Sequence, residues 1–462
     1  MLKRRWFATV MMLAIGCLAL HCASAQQRSI DIAMQLTKTS ALLGEPVWVD
    51  VSVTNRTKQA LRIDMGDACF GNRPLLIAIP QAEPGTGEHR LCGMAGGDCQ
   101  TPFPSVVDPG KSVSQRYVLA GDFRITHPGV YHVLLEKKVT YATALPGDEL
   151  TPLPRNASEE SAKQTIVLEV RRTDPPRLLD IEESLAREVN EPNQIPAPAV
   201  VNLSPSDMDA LRKADAALRD LDYANYLAKV SIAEGLSDYP AAGMEPIFDD
   251  WLVADRGFGW YGLHGLYRLN TAESRRLLAQ AAEPSKDVYR RWRQHLVASE
   301  AETQREFATW RGMAVRALVD MGDRSYLPLV EKLSDDTAPD VRLQAILGLG
   351  LLGGEAELPR LAALVRQPAT ISDRGVAFQA IGYTATLQAV PLLISWFTQP
   401  GMDQPATSDD ALMSLTRHSL PPAKQRTIAE YQALWTDWWQ HHKTDARAYG
   451  PFDCTGPSFP WL

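Results

Sequence analysis

The sequence predicts a chain in two parts, an antiparallel β-sandwich followed by a stack of helix pairs, so the fold class is multidomain β then α. Two observations carry this. Apolar residues recur at every second position from Ser29 to about Arg172, and at helical spacing beyond it. In the second half, a phrase ending in proline returns at offsets of 31 and 32 residues. Composition sets the frame. With 45% hydrophobic and 22% charged residues, a disordered chain is excluded, and 30 Gly with 32 Pro exclude a collagen-like one.

The first 25 residues read as an export signal. Lys3, Arg4 and Arg5 precede an apolar stretch from Trp6 to Leu20, and Ala23-Ser24-Ala25 supplies an A-x-A cleavage site. The apolar stretch is shorter than the ~20 residues that span a membrane. Cleavage after Ala25 removes three positive charges and no negative ones, taking the net charge from −8 to −11. An acidic mature chain argues against nucleic acid, which is held by basic patches. The expected location is the bacterial periplasm, with a secreted or lipid-anchored form (on Cys17 or Cys22) as the alternatives. Cleavage also leaves four of the six cysteines, Cys69, Cys92, Cys99 and Cys454. An even number in an exported chain suggests two disulfides, and all three pairings stay open.

The sandwich is expected over 28–172. Alternation is clear in Ile30–Met34 and Val47–Val53, and further strands are predicted at Leu61–Met65, Leu75–Ile79, Ser114–Leu119, Val130–Leu135 and Thr165–Val170. Turns at Leu43-Gly44-Glu45-Pro46, Asp108-Pro109-Gly110-Lys111 and His127-Pro128-Gly129 separate them. Ala82–Ser105 reads as a long inserted loop. The phrase Leu43–Asn55, with Val130-Tyr131-His132-Val133 after a Pro-Gly turn, looks like the immunoglobulin-like modules of exported bacterial proteins.

A helix, Leu178–Val189, and a Pro-rich linker fill 173–206, and the helical array is expected over 207–443 with a tail at 444–462. Arg316–Pro328, Leu347–Pro359 and Gln379–Pro391 align by their prolines, with looser copies at Ala217–Val230 and Gly265–Leu278 and another beginning at Ala411. A single helix pair cannot bury its own apolar face, so neighbours must stack. The pattern resembles HEAT repeats over Asp207–His442, with insertions near Gly235–Trp260 and Ala281–Ala308. The resemblance implies an α-solenoid that serves as a binding or scaffolding surface.

The search for chemistry finds little. No H-E-x-x-H, G-x-S-x-G, S-x-x-K or phosphate-binding P-loop motif occurs. One formal G-x-G-x-x-G, Gly348 to Gly353, falls inside a repeat helix rather than after a strand, which points to close helix packing instead of a nucleotide. Asp335-Asp336 and Asp409-Asp410 are read as acidic residues ahead of helix N-termini. No catalytic residue, cofactor or metal ligand is assigned, and the chain is expected not to be an enzyme. Similar helical folds do include lyases, so a site in the insertions is the remote alternative.

The candidate binding surface comprises Trp251, Trp260, Trp292, Arg290 and Arg291 around the insertions, and Trp435, Trp438 and Trp439 near the C-terminus. Aromatic and Arg side chains dominate interface hot spots, although the plainer reading of the same tryptophans is core filling and a C-terminal cap. The expected partner is a protein, with a cell-envelope glycan as the alternative. No membrane span is expected after signal cleavage.

Overall fold

The computed structural model describes residues 28–65, 75–77, 104–119, 125, 127–145, 153–154, 156–190, 228–254, 258–295, 300–398, 405–422 and 426–450. The signal, the 191–206 linker and all four candidate cysteines lie outside them.

The N-terminal part is two facing sheets. β1 (Ile30–Leu36), β3 (Trp48–Asn55) and β7 (Ser112–Val118) form one, in the order β1-β3-β7. The other runs β2 (Ser40–Leu42), β9 (Ser158–Arg171), β8 (Gly129–Thr143), β4 (Leu61–Asp64), β6 (Ser105–Val107), with β5 (Leu75–Ile77) also on β8. The alternation read in sequence is the alternation of burial. Val49, Val51 and Val53 of β3 face Tyr131, Val133 and Leu135 of β8 in one core, while the residues between them are more exposed.

Two features depart from the expected pattern. β8 and β9 form a hairpin paired from Gly129↔Val170 to Tyr141↔Ser158, much longer than the strands predicted there. β2 lies parallel to β9, not antiparallel. The chain leaves the first sheet after Leu36 and crosses to the second without reversing. Bonds from Glu169 N–H to Thr39 C=O and from Leu43 N–H to Arg171 C=O frame the short parallel contact.

Helices follow. α1 is Pro175–Asn190, opened by two prolines whose missing N–H groups cost nothing in a first turn. Residues 228–238 are helical, then come α2 (Glu245–Ala254), α3 (Gly259–Leu269), α4 (Ala272–Ala282) and α5 (Lys286–His295). The two expected insertions are thus largely helical themselves. α6 (Glu300–Asp320) and α7 (Leu327–Leu333) form one pair, and α8 (Pro339–Gly348) and α9 (Leu358–Arg366) the next. α10 (Ile371–Gly382) and α11 (Ala389–Trp396) follow as the next two-helix unit in the chain, and α12 (Pro405–Thr416) and α13 (Ile428–His442) as the last described. Pro328, Pro359 and Pro391 each fall in the first turn of the second helix of a pair, which is why they align the repeats. α6, α8, α10 and α12 pack side by side as one layer.

Close approach within that layer explains the glycine-rich phrase. Gly348 ends α8, and Leu349–Gly353 continue as a π-helical turn. A Cβ on Gly350 would stand 2.6 Å from the Ala380 carbonyl carbon and 2.8 Å from its Cα. One on Gly348 would stand 2.6 Å from Val319 Cγ2. The glycines let α8 and its π-helical extension meet the side chains of α6 and α7 and the backbone of α10, and no strand precedes them.

Polar bonds also link successive pairs. Arg311 binds Asp336 at 2.5 Å, Arg342 binds Asp373 at 3.1 Å, Arg360 binds Asp335 at 3.0 Å, and Thr309 donates to Asp340 at 2.9 Å. Asp336 also accepts from Ala338 N–H just before α8. Asp409-Asp410 depart from expectation, because α12 begins at Pro405 and places them in mid-helix, where Asp409 accepts from Trp435 Nε1 at 2.6 Å.

The two parts share a joint. Trp48, at the start of β3, is buried and donates from Nε1 to Ser231 C=O at 2.8 Å. Gly235 lies beneath its ring, where a Cβ would come within 2.6 Å of Cζ2. Ser231 Oγ donates to Arg116 C=O, and Leu42 of the sandwich is buried in the same core as Leu178 and the array.

Candidate interaction surface

The structure sorts the candidate residues by burial. Trp251 is 2% exposed, flanked by Phe248 and Phe258, with its Nε1 donating to Asn190 Oδ1 at 2.9 Å. Trp292 is equally buried, tilted against Phe307. Trp435 is fully buried. These three fill the core. Trp438 and Trp439 are half-buried, and the Trp438 ring stacks with His418 at 4.8 Å and His442 at 5.2 Å. Burial, and then His442, hold the His418 imidazole below its ordinary pKa.

Trp260 is the candidate tryptophan that faces solvent, at 49% exposure. It stands on α3, where Gly259 sits against Trp310 and fixes the helix start. The spacing i, i+4, i+7 puts Trp260, His264 and Tyr267 on one side of the helix. Their rings are nearly parallel, 6.3 Å and 11° for the first pair and 6.4 Å and 19° for the second. Arg268 donates through Nε and Nη2 to the Asp238 carbonyl and ties this face to the end of the 228–238 helix. Ile371, the first residue of α10, is 76% exposed.

Arg290 pairs with Asp287 at 2.9 Å and Arg291 with Asp249 at 3.4 Å. Both pairs are on the surface, where such contacts contribute ~0–1 kcal/mol, so they tune charge rather than stability.

Ser237, Asp238 and His264 come together, and their geometry is not that of a catalytic triad. Ser237 Oγ lies 3.3 Å and Asp238 Oδ1 3.6 Å from the same nitrogen, His264 Nδ1. Nucleophile activation needs them on opposite ring nitrogens. Ser237 is moreover fully buried and donates to Glu234 C=O. Among the described residues, no group of three His, Cys, Asp or Glu side chains is placed to hold a metal ion, and no helix is long and apolar enough to cross a membrane.

Sequence reasoning missed the Arg–Asp links between pairs, the Trp48 joint and the buried carboxyl of Glu182. Each depends on a partner at least 25 residues away, which local periodicity does not report.

Known proteins bear on the helical half. Residues 300–382, from α6 through α10, match the family model for HEAT repeats. No curated protein matches the chain. Among solved structures, human deoxyhypusine hydroxylase in complex with glycerol aligns over 57% of this chain and 96% of its own, at 13% identity and a TM-score of 0.25. A likeness that loose carries no functional argument. A β-rich N-terminal part is therefore followed by a helical part that carries a HEAT-like repeat region over 300–382.

Proposed function

We propose that the chain is an exported, non-catalytic scaffold whose helical array presents a surface to a protein partner. The observation that carries this is the aromatic strip of α3, in which exposed Trp260 leads half-buried His264 and Tyr267, on an array of stacked helix pairs. Stacked repeats of this kind build extended binding surfaces. Ile371 adds a second exposed apolar side chain at the start of α10. The export signal read in the first 25 residues supports a periplasmic location for this scaffold. The test is a photoreactive side chain placed at 260 or 371 in the full chain in its native host. Crosslinks to one recurring protein support the reading, and their absence at both positions refutes it.

A second reading, glycan binding, rests on the same strip, because an exposed tryptophan can stack on a sugar face and Trp251 is buried in the core. Retention on purified peptidoglycan that is lost in Trp260→Ala would favour it. No retention removes it.

The sandwich reads as immunoglobulin-like on two details. Tyr131, near the start of β8, donates through its hydroxyl to His127 C=O four residues upstream at 2.5 Å, as in a tyrosine corner. The first edge is split between sheets, β1 in one and β2 in the other.

A further inference from the structure

Glu182 occupies an unusual place. It lies on α1 with no exposed surface, between the turn after β2 and the turn that precedes α2. Oε2 accepts from Ala241 N–H at 2.7 Å, and Oε1 is buried without a hydrogen-bond partner. Among the described residues, no cation is paired with it. The charged group that bears on it from the sandwich is Glu45, whose own carboxylate takes Lys38 Nζ and Leu42 N–H, both at 2.7 Å. From the array the contact is the Ala241 amide. The surroundings are apolar and tightly fitted. Gly44 stands against Leu178, Gly243 against Leu179, and Leu178, Ala186, Ala241 and Met244 belong to one core. An ionised carboxyl here would lack both counter-charge and water.

We propose that the joint between sandwich and helical array is a pH-sensitive latch, closed while the Glu182 side chain is neutral and loosened when it ionises. Ionisation leaves two ways to solvate the charge. Either water enters between α1 and the 239–244 turn, or that turn moves off the helix. Both break the Ala241 bond and slacken the wall on which Leu42 and Leu178 pack. Burial, opposed by the Ala241 amide and aided by Glu45, raises the Glu182 carboxyl to about 8 from its ordinary 4.5. A carboxyl raised by folding stabilises the closed state fully below the ordinary value. It loses that contribution as pH rises, and the loss levels off above the folded value. The working window is therefore 4.5 to about 8.

The experiment is hydrogen exchange on the full chain between pH 5.5 and 8.5, corrected for intrinsic exchange rates. It follows the amides of α1 and of 239–248. Linkage to one proton predicts that protection falls about tenfold per pH unit within the window and flattens above it. Glu182→Gln keeps the shape and removes the charge, so its protection is expected to be independent of pH. Glu45→Gln is expected to bring the plateau to lower pH. A wild-type protection that does not change with pH, or a slope unchanged in Glu182→Gln, overturns the proposal. Should Glu182→Gln fail to fold, the carboxyl of the wild-type chain can be titrated directly by ¹³C NMR. Titration near 8 supports the latch, and titration near 4.5 overturns it.

Discussion

Gly350→Ala is a small change with a large expected effect. The added Cβ would meet Ala380 of α10 at 2.6 Å from its carbonyl carbon and 2.8 Å from its Cα, and both are backbone atoms that no rotamer change can withdraw. Overfilling a packed site typically costs ~1–3 kcal/mol, and an immovable neighbour puts this one at the upper end. Alanine recovers about 1 kcal/mol of helix preference over glycine. The net loss is then about 2 kcal/mol, or roughly 4–8 °C in the unfolding midpoint for a unit of this size. Gly375→Ala is the matched control. It sits within α10, where an added Cβ meets nothing within 4 Å. It should raise stability by ~0.4–1 kcal/mol, chiefly by restricting the unfolded chain. Thermal unfolding followed by helical circular dichroism reads both variants. A Gly350→Ala protein as stable as wild type, or a Gly375→Ala protein that is the less stable of the two, would refute the close-packing account of the glycine-rich phrase.

Three further predictions are independent of that one. Asp373 is 1% exposed, binds Arg342, and completes a capping box with Thr370 at the start of α10, so Asp373→Ala should cost ~3–5 kcal/mol and Asp373→Asn less, as read by urea midpoints. Trp251→Ala should cost ~3–5 kcal/mol because it empties a core position, whereas Trp260→Ala should stay within ~0.5 kcal/mol; equal losses would mean the burial pattern is wrong. If Cys69, Cys92, Cys99 and Cys454 form disulfides, a reductant should lower the stability of the sandwich by ~2–5 kcal/mol, and an unchanged melting profile would contradict this.

How far the sequence reports this structure can be argued from particular residues. The change from period two to helical spacing near Arg172 marks the end of β9 at Arg171 and the start of α1 at Pro175, because alternation and helical spacing are direct records of which side is buried. The prolines that align the repeats are visible since only a first helical turn accepts them. β8 is longer than its pattern suggests because Lys137 takes a core-facing position. Its ammonium is buried, donating to Met65 C=O and to the Tyr117 hydroxyl, and held over the Tyr117 ring at 4.5 Å. A charged residue that satisfies its bonds across the sandwich looks, in sequence, like the end of a strand. The tryptophans are ambiguous for a different reason. Trp251 and Trp260 are both large and apolar, and spacing tells which side of a helix they occupy. It does not tell whether that side meets another helix or solvent. Trp48 shows the same limit, since it reads as a strand residue and serves as the contact to Ser231 and Gly235.

The central claim is that the helical array, through the exposed side of α3, is what a partner protein touches. Crosslinking from position 260 in the native cell envelope, with position 106 on the exposed edge of the sandwich as reference, tests it most directly. The account predicts one recurring protein captured from 260 and not from 106. Capture from 106 alone, or from neither position, would contradict it.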